Sequence, residues 1–137
     1  MNKFLYISLC LIAVLSCKTK EKVLIVDGGY LPNNTTEKLY TIESHSIKND
    51  QLILAIEYTG KCKKHQFDLI TQGMYLKSNP PKLHLFLRDI HNDNSCNDRV
   101  KDTLSFNISE AKYNNTYETN VVLLILSGYD TPIRYIY

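Results

Sequence analysis

Tryptophan is absent from the 137 residues, and glycine and proline are scarce, at five and four. The missing tryptophan argues against an antibody-type domain, whose core packs one against its disulfide. With so few glycines there is no Gly-rich loop to cradle a phosphate, and no Gly-x-Ser-x-Gly turn to present a serine nucleophile. No spacing points to the paired carboxylates of a glycosidase. An excess of charge is missing too: 16 basic residues stand against 14 acidic ones. A nucleic-acid binder needs a clustered basic face to displace counterions from phosphates, so this balance argues against nucleic acid as a partner. Finally, no stretch beyond a turn or so keeps apolar residues at helical spacing, which leaves an all-β chain as the expectation.

What is present begins at the N-terminus. Met1-Asn2-Lys3 is a short basic start, Phe4 to Leu15 is apolar, and Ser16 precedes Cys17. The apolar run is shorter than the roughly 20 residues that cross a bilayer, so it reads as a cleaved signal. Val14-Leu15-Ser16-Cys17 resembles the lipobox of bacterial lipoproteins, in which the cysteine receives a diacylglycerol and becomes the first residue of the mature chain. The resemblance implies export, lipidation at Cys17, and a bacterial cell envelope location on a membrane, outside the cytoplasm. The expected organisation is a signal peptide over 1–16, a lipidated cysteine and tether over 17–22, and one domain over 23–137.

Of the four cysteines, Cys10 leaves with the signal and Cys17 carries the lipid, so Cys62 and Cys96 remain. In an oxidising compartment an isolated pair is expected to be a disulfide. The positions are 34 apart, a loop for which the chain-entropy account gives roughly 3 to 4 kcal/mol.

Alternation of period two marks the strands. Leu52, Leu54, Ile56 and Tyr58 share one face; Phe67 and Leu69 lead another strand; Leu83, Leu85 and Leu87 form a third; Leu104, Phe106 and Ile108 a fourth. Val23 to Val26, Leu39 to Ser46 and Ile133 to Tyr137 read as further strands. Asn120 to Leu126 is apolar on both faces, as a central buried strand would be. Ser109 to Lys112 fits one helical turn with Ser109 as its cap. About seven short strands separated by turns predict an antiparallel β-sandwich of immunoglobulin-like build, with a small β-barrel as the alternative.

The residues that invite a chemical reading are Cys62-x-x-His65 and His91-x-x-x-x-Cys96. Two thiolates and two imidazoles make a tetrahedral set that zinc or copper accepts, provided both sulfurs stay reduced. With the disulfide formed, His65 and His91 are left beside Asp89, Asp93 and Asp98 as a possible imidazole–carboxylate cluster. The plainer and favoured reading is a hydrogen-bonded pair of histidines that tie loop backbone to the disulfide. Ten tyrosines raise a sugar- or partner-binding reading for Tyr113, Tyr117 and Tyr129 in loops, whereas Tyr58, Tyr135 and Tyr137 fall in strand patterns.

Gly60-x-Cys62-x-x-His65-x-Phe67-x-Leu69, the alternating leucines 83, 85 and 87, His91 with Cys96, and Leu104-x-Phe106-x-Ile108 together resemble a group of small exported bacterial proteins, many of them lipoproteins, with no assigned activity. Lys61 stands where members carry a second glycine. The resemblance implies a β-sandwich with both cysteines and both histidines gathered at one end, and it implies no reaction.

The functional expectation is therefore a non-enzymatic envelope lipoprotein, with no catalytic residue and no cofactor, that binds an unidentified protein or small molecule. Two alternatives stand beside it. One is a metal-binding protein using His65 and His91, with or without Cys62 and Cys96. The other is an inhibitor of a secreted hydrolase.

Overall fold

The computed structural model describes residues 21–32, 40–60, 64–90, 97–114 and 120–137. Among these residues ten strands follow one another: β1 (Lys22–Val23), β2 (Ile25–Val26), β3 (Tyr40–Lys48), β4 (Gln51–Thr59), β5 (Phe67–Thr71), β6 (Tyr75–Leu76), β7 (Lys82–Asp89), β8 (Arg99–Asn107), β9 (Val121–Leu126) and β10 (Ile133–Ile136). One sheet has the order β1-β8-β4-β3. The other runs β10-β9-β7-β5-β2, with β6 on β7. The two sheets face each other over one core, so the fold is a β-sandwich and not a closed barrel.

Alternation in sequence becomes burial in the structure. Leu52, Leu54, Ile56 and Tyr58 of β4 are buried, as are Leu83, Leu85 and Leu87 of β7 and Leu104 and Phe106 of β8. Among the described residues seven strands have four or more residues, close to the about seven expected. The expected Val23–Val26 strand is split into β1 and β2, two residues each on the edges of different sheets, and β6 is a two-residue addition. The sheets are mixed rather than purely antiparallel. β7 and β9 are parallel because β8, between them in sequence, lies in the opposite sheet, so the chain returns in its former direction. β1 also pairs in parallel with β8, and β2 with β5. Between those two short strands Leu24 is buried, and there the chain passes from one sheet to the other.

Local chemistry sets the turns. Lys48 pairs with Gln51, so Asn49-Asp50 is a two-residue hairpin loop, and Asn49 takes φ 55°, a conformation asparagine tolerates better than most residues. In β3, Ile42 faces Ile56 and Ser44 faces Ala55, which leaves Glu43 as the extra residue of a bulge. The bulge shifts the parity of the strand. Ile42 before it and Ile47 after it both reach the core, while Ser44 and Ser46 point outward. Residues 109–111 form a 3-10 turn as expected, but Ser109 is not its cap: Ile108 occupies that position, and the Asn107 side chain accepts from the Ser109 N–H at 2.9 Å.

Candidate functional site

Of the residues singled out by sequence, His65, Asp89 and Asp98 come together at the end of the sandwich where β4 finishes, β5 starts and β7 finishes. His65 lies two residues before β5 and Asp89 is the last residue of β7, brought close because Phe67 pairs with Asp89. Nδ1 of His65 meets Oδ2 of Asp89 at 2.5 Å, with the histidine side chain fully buried and the carboxylate 13% exposed. Backbone bonds reinforce this joint. The Ile90 N–H donates to Gln66 O at 2.8 Å, and the Gly60 N–H donates to Asp98 O at 2.9 Å.

Aromatic rings wall in the imidazole. Tyr58 stacks on it with ring centres 4.6 Å apart, and Phe67 lies edge-on to Tyr58 and to Tyr40. Tyr40 donates its hydroxyl to Leu87 O at 2.7 Å. Burial, helped by the nearby Tyr30 and Asp89, pushes the Tyr40 phenol up to about 12, so it stays a donor throughout the neutral range. On the remaining side stands Gly60, with φ +139°, and any Cβ placed there would collide with Nε2 of His65. The motif glycine is thus explained twice, by a backbone conformation few other residues adopt and by an imidazole packed where a side chain would begin.

A carboxylate that accepts from Nδ1 leaves Nε2 of the neutral ring as a bare lone pair. That nitrogen is buried and has no hydrogen-bond partner among the described residues. A base with an orienting carboxylate supplies two of the three members of a hydrolytic triad. Here, however, its free nitrogen faces Gly60 instead of an open cleft. The arrangement pins β5 to β7 and packs both against the end of β4.

Among the carboxylates weighed from sequence, Asp89 meets His65, and Asp98 joins the same end through its backbone. Cys62, His91, Asp93 and Cys96 lie outside the described residues, as do Tyr117 and the whole of 1–20, which holds the export signal and Cys17. Among the described residues, no group of three His, Cys, Asp or Glu side chains is placed to hold a metal ion. Tyr113 and Tyr129 are not freely exposed loop rings, because both pack against the core. Tyr129 is held further by His45, whose Nδ1 lies 2.9 Å from its hydroxyl.

Three features had no clear sequence signal. Asp102 lies opposite Ile56 on the inner side of β8, and its Oδ2 has Lys64 Nζ at 3.4 Å, an ion pair without hydrogen-bond geometry. At the far end of the sandwich, Asp50 accepts from Tyr135 at 2.5 Å and from Lys112 at 2.9 Å. The outer face of the six-stranded sheet mixes aliphatic side chains with Lys82, His84 and Arg134, and only the doubly apolar run of β9 foreshadowed its aliphatic part.

No family model and no curated protein matches this chain. A solved structure does: a protein of unknown function (DUF1344) from Bacteroides vulgatus, with a TM-score of 0.51 and 18% identity, over 85% of this chain and 55% of that one. The likeness is one of fold, and this chain spans little more than half the length of that protein.

Proposed function

We propose that the protein is a bacterial envelope lipoprotein, held to a membrane through Cys17, whose β-sandwich is a non-enzymatic binding module. The observation that carries the non-enzymatic part is the state of His65. Its ring is fully buried, one nitrogen is engaged by Asp89 and the other abuts Gly60. A general base must reach the proton it abstracts, and this one is sealed from solvent. Anchoring rests on the sequence of residues 1–17. Mass spectrometry of the mature protein tests it: a diacylglyceryl adduct on Cys17 supports the reading, and an unmodified N-terminus elsewhere in the chain refutes it.

The same reading includes a disulfide between Cys62 and Cys96. Support comes from the ladder leading to them, in which Thr59 pairs with Arg99 and the Gly60 N–H bonds to Asp98 O. Each cysteine is two positions along the chain from that last bond, which holds the described ends of the two loops together. Loss of two mass units relative to the reduced domain, with no thiol labelling, is the expected result.

Metal binding is the second reading, favoured by the orphan Nε2 of His65, since a buried polar atom without a partner calls for an explanation. It requires Gly60 to move aside from Nε2 of His65. Zinc or copper retained through gel filtration at one ion per chain, and lost in His65→Gln, would favour it over the binding module.

A further inference from the structure

The two sheets present unlike faces to the outside. On the four-stranded sheet the outward rows of β4 and β8 pair Gln51 with Asn107, Ile53 with Ser105, Ala55 with Thr103, Glu57 with Lys101 and Thr59 with Arg99. Its charges neutralise one another: Lys101 contacts Glu43 and Glu57, and Arg99 contacts Glu57.

The six-stranded sheet differs. Its outward rows place Val121 beside Ile136, then Leu76, Lys82, Leu123 and Arg134 in one line, then Ile125 beside His84, and then Ile70 with Phe86. Half of this face is capped. Tyr30 packs on Phe86 with ring centres 5.6 Å apart, Arg88 lies over Tyr30, and Ile70 beneath is only 1% exposed. The half formed by β6, β7, β9 and β10 has no such cap among the described residues, and Ile136 and Leu76 are 57% and 50% exposed. Lys82 and Arg134 there make no ion pair among the described residues. The acid on the face, Asp68, is taken by Arg88.

Aliphatic side chains interleaved with cations that pair with no acid among the described residues fit an anionic, partly apolar partner. A second copy of the chain fits poorly, because face-to-face packing would bring Lys82 and Arg134 against their own kind. The described chain starts at Glu21, four residues after the expected lipidated Cys17. Glu21 is held by Gln51 and Asn107 on the four-stranded sheet. Four residues reach about 14 Å at full extension, on the order of the ~10 Å between packed sheet backbones plus one outer layer of side chains, so the far face meets the membrane only with the tether extended.

We propose that the open half of this face, centred on Leu123 and Ile125 and flanked by Lys82 and Arg134, docks on an anionic lipid surface. The aliphatic side chains enter the headgroup boundary while the two cations meet phosphates. The proposal rests on the lipoprotein reading, which puts a membrane within reach of the face.

The test uses the unlipidated chain Lys18–Tyr137, which retains both sheets and the whole described core. Co-sedimentation is measured with phosphatidylglycerol-containing vesicles and with pure phosphatidylcholine vesicles. The expected result is binding to the anionic vesicles, weakened at least ~30-fold in Lys82→Ala/Arg134→Ala and also weakened in Ile136→Ser, with unchanged circular dichroism and thermal midpoint. Lys48→Ala, on the opposite sheet, should leave binding as it was. No binding to anionic vesicles, equal binding to both lipids, or binding that Lys82→Ala/Arg134→Ala does not change would overturn the proposal. So would capture of an acidic protein through this face in place of lipid. The acyl adduct on Cys17 is scored separately: an acylated chain whose soluble domain ignores vesicles refutes the docking face alone, and an unacylated chain refutes the anchor.

Discussion

The two ends of the sandwich fasten strands with the same device, an aspartate accepting from a side chain on another element, yet they close it in opposite ways. At the β4–β5–β7 end, His65 and Asp89 sit among Tyr58, Phe67 and Tyr40, and shape holds the joint: the imidazole fits because Gly60 has no side chain. At the hairpin end, Asp50 accepts from both Lys112 and Tyr135, its own carbonyl accepts from Ile108 N–H at 2.8 Å, and solvent reaches the carboxylate. The first joint is steric and intolerant. The second is electrostatic and adjustable. A buried polar pair is costly to disturb because nothing replaces a lost partner, whereas water substitutes at the open end.

The sharpest way to break the comparison is Gly60→Ala. The methyl group would overlap Nε2 of His65 in a backbone conformation alanine resists, so a destabilisation on the order of 3 kcal/mol is expected from overpacking and strain together. Urea denaturation measures it. A loss below about 0.5 kcal/mol, the range of neutral surface changes, would mean that the close approach imposes no constraint. Asp89→Asn comes next. It keeps the volume but removes the charge that Nδ1 faces, and a loss of about 1 to 3 kcal/mol is expected. Should Asp89→Asn cost no more than Asp50→Asn in the same assay, the contrast between a closed and an open joint fails.

These expectations depend on how much the sequence disclosed. The core was legible because burial on one face imposes period two, which the leucines of β7 and the alternating residues of β4 obey throughout and which β8 obeys at Leu104 and Phe106 but breaks at Asp102. The glycine-to-histidine spacing marked the right end of the molecule, since strand ends adjacent in a sheet gather their loops. Parallel pairing was not legible. Nothing in β7 or β9 records that β8 joins the other sheet, which is a property of the whole chain path. The bulge at Glu43 was equally hidden, because one extra residue changes parity without changing composition. The run Val121–Leu126, apolar on both sides, predicts a strand covered on both faces; β9 is indeed flanked by β10 and β7, but its outward residues Val121, Leu123 and Ile125 are only half-buried. Asp50 sits in a stretch of turn composition, Lys48-Asn49-Asp50, and nothing local marks its partners, which lie 62 and 85 positions away.

Alkaline titration sharpens the contrast from another side, because each end holds a phenol pushed up to about 12. Burial does most of this at Tyr40; at Tyr75 burial again leads, followed by the neighbouring Tyr137, Glu110 and Tyr113. An acid whose folded value lies above its unfolded one, near 10 for tyrosine, contributes stability that is complete below pH 10 and is lost as pH rises through the folded value. Stability should therefore fall between about pH 10 and 12. Tyr40→Phe and Tyr75→Phe should each flatten that limb, as followed by phenolate absorbance alongside denaturation. Tyr40→Phe is expected to flatten it more, being the more deeply buried of the two.

The smallest effect belongs to Asp50 and appears only in acid. Its carboxyl is held below the usual aspartate range, chiefly by the hydrogen bond from Lys112 and then by that from Tyr135. A depressed folded value contributes stability that is present above the unfolded value, near 4, and disappears as pH falls through the folded one. Asp50→Asn should therefore flatten the acid limb of the stability profile while barely changing its alkaline limb. Lys112→Met should reproduce more of that flattening than Tyr135→Phe, because Lys112 is the larger cause. The carboxylate is open to water, so added salt should weaken the Lys112 contribution and leave the His65–Asp89 joint unmoved. Thermal midpoints across pH 2 to 6, at low and high ionic strength, decide this, and equal salt sensitivity in Lys112→Met and Asp89→Asn would mean that the two ends are built alike after all.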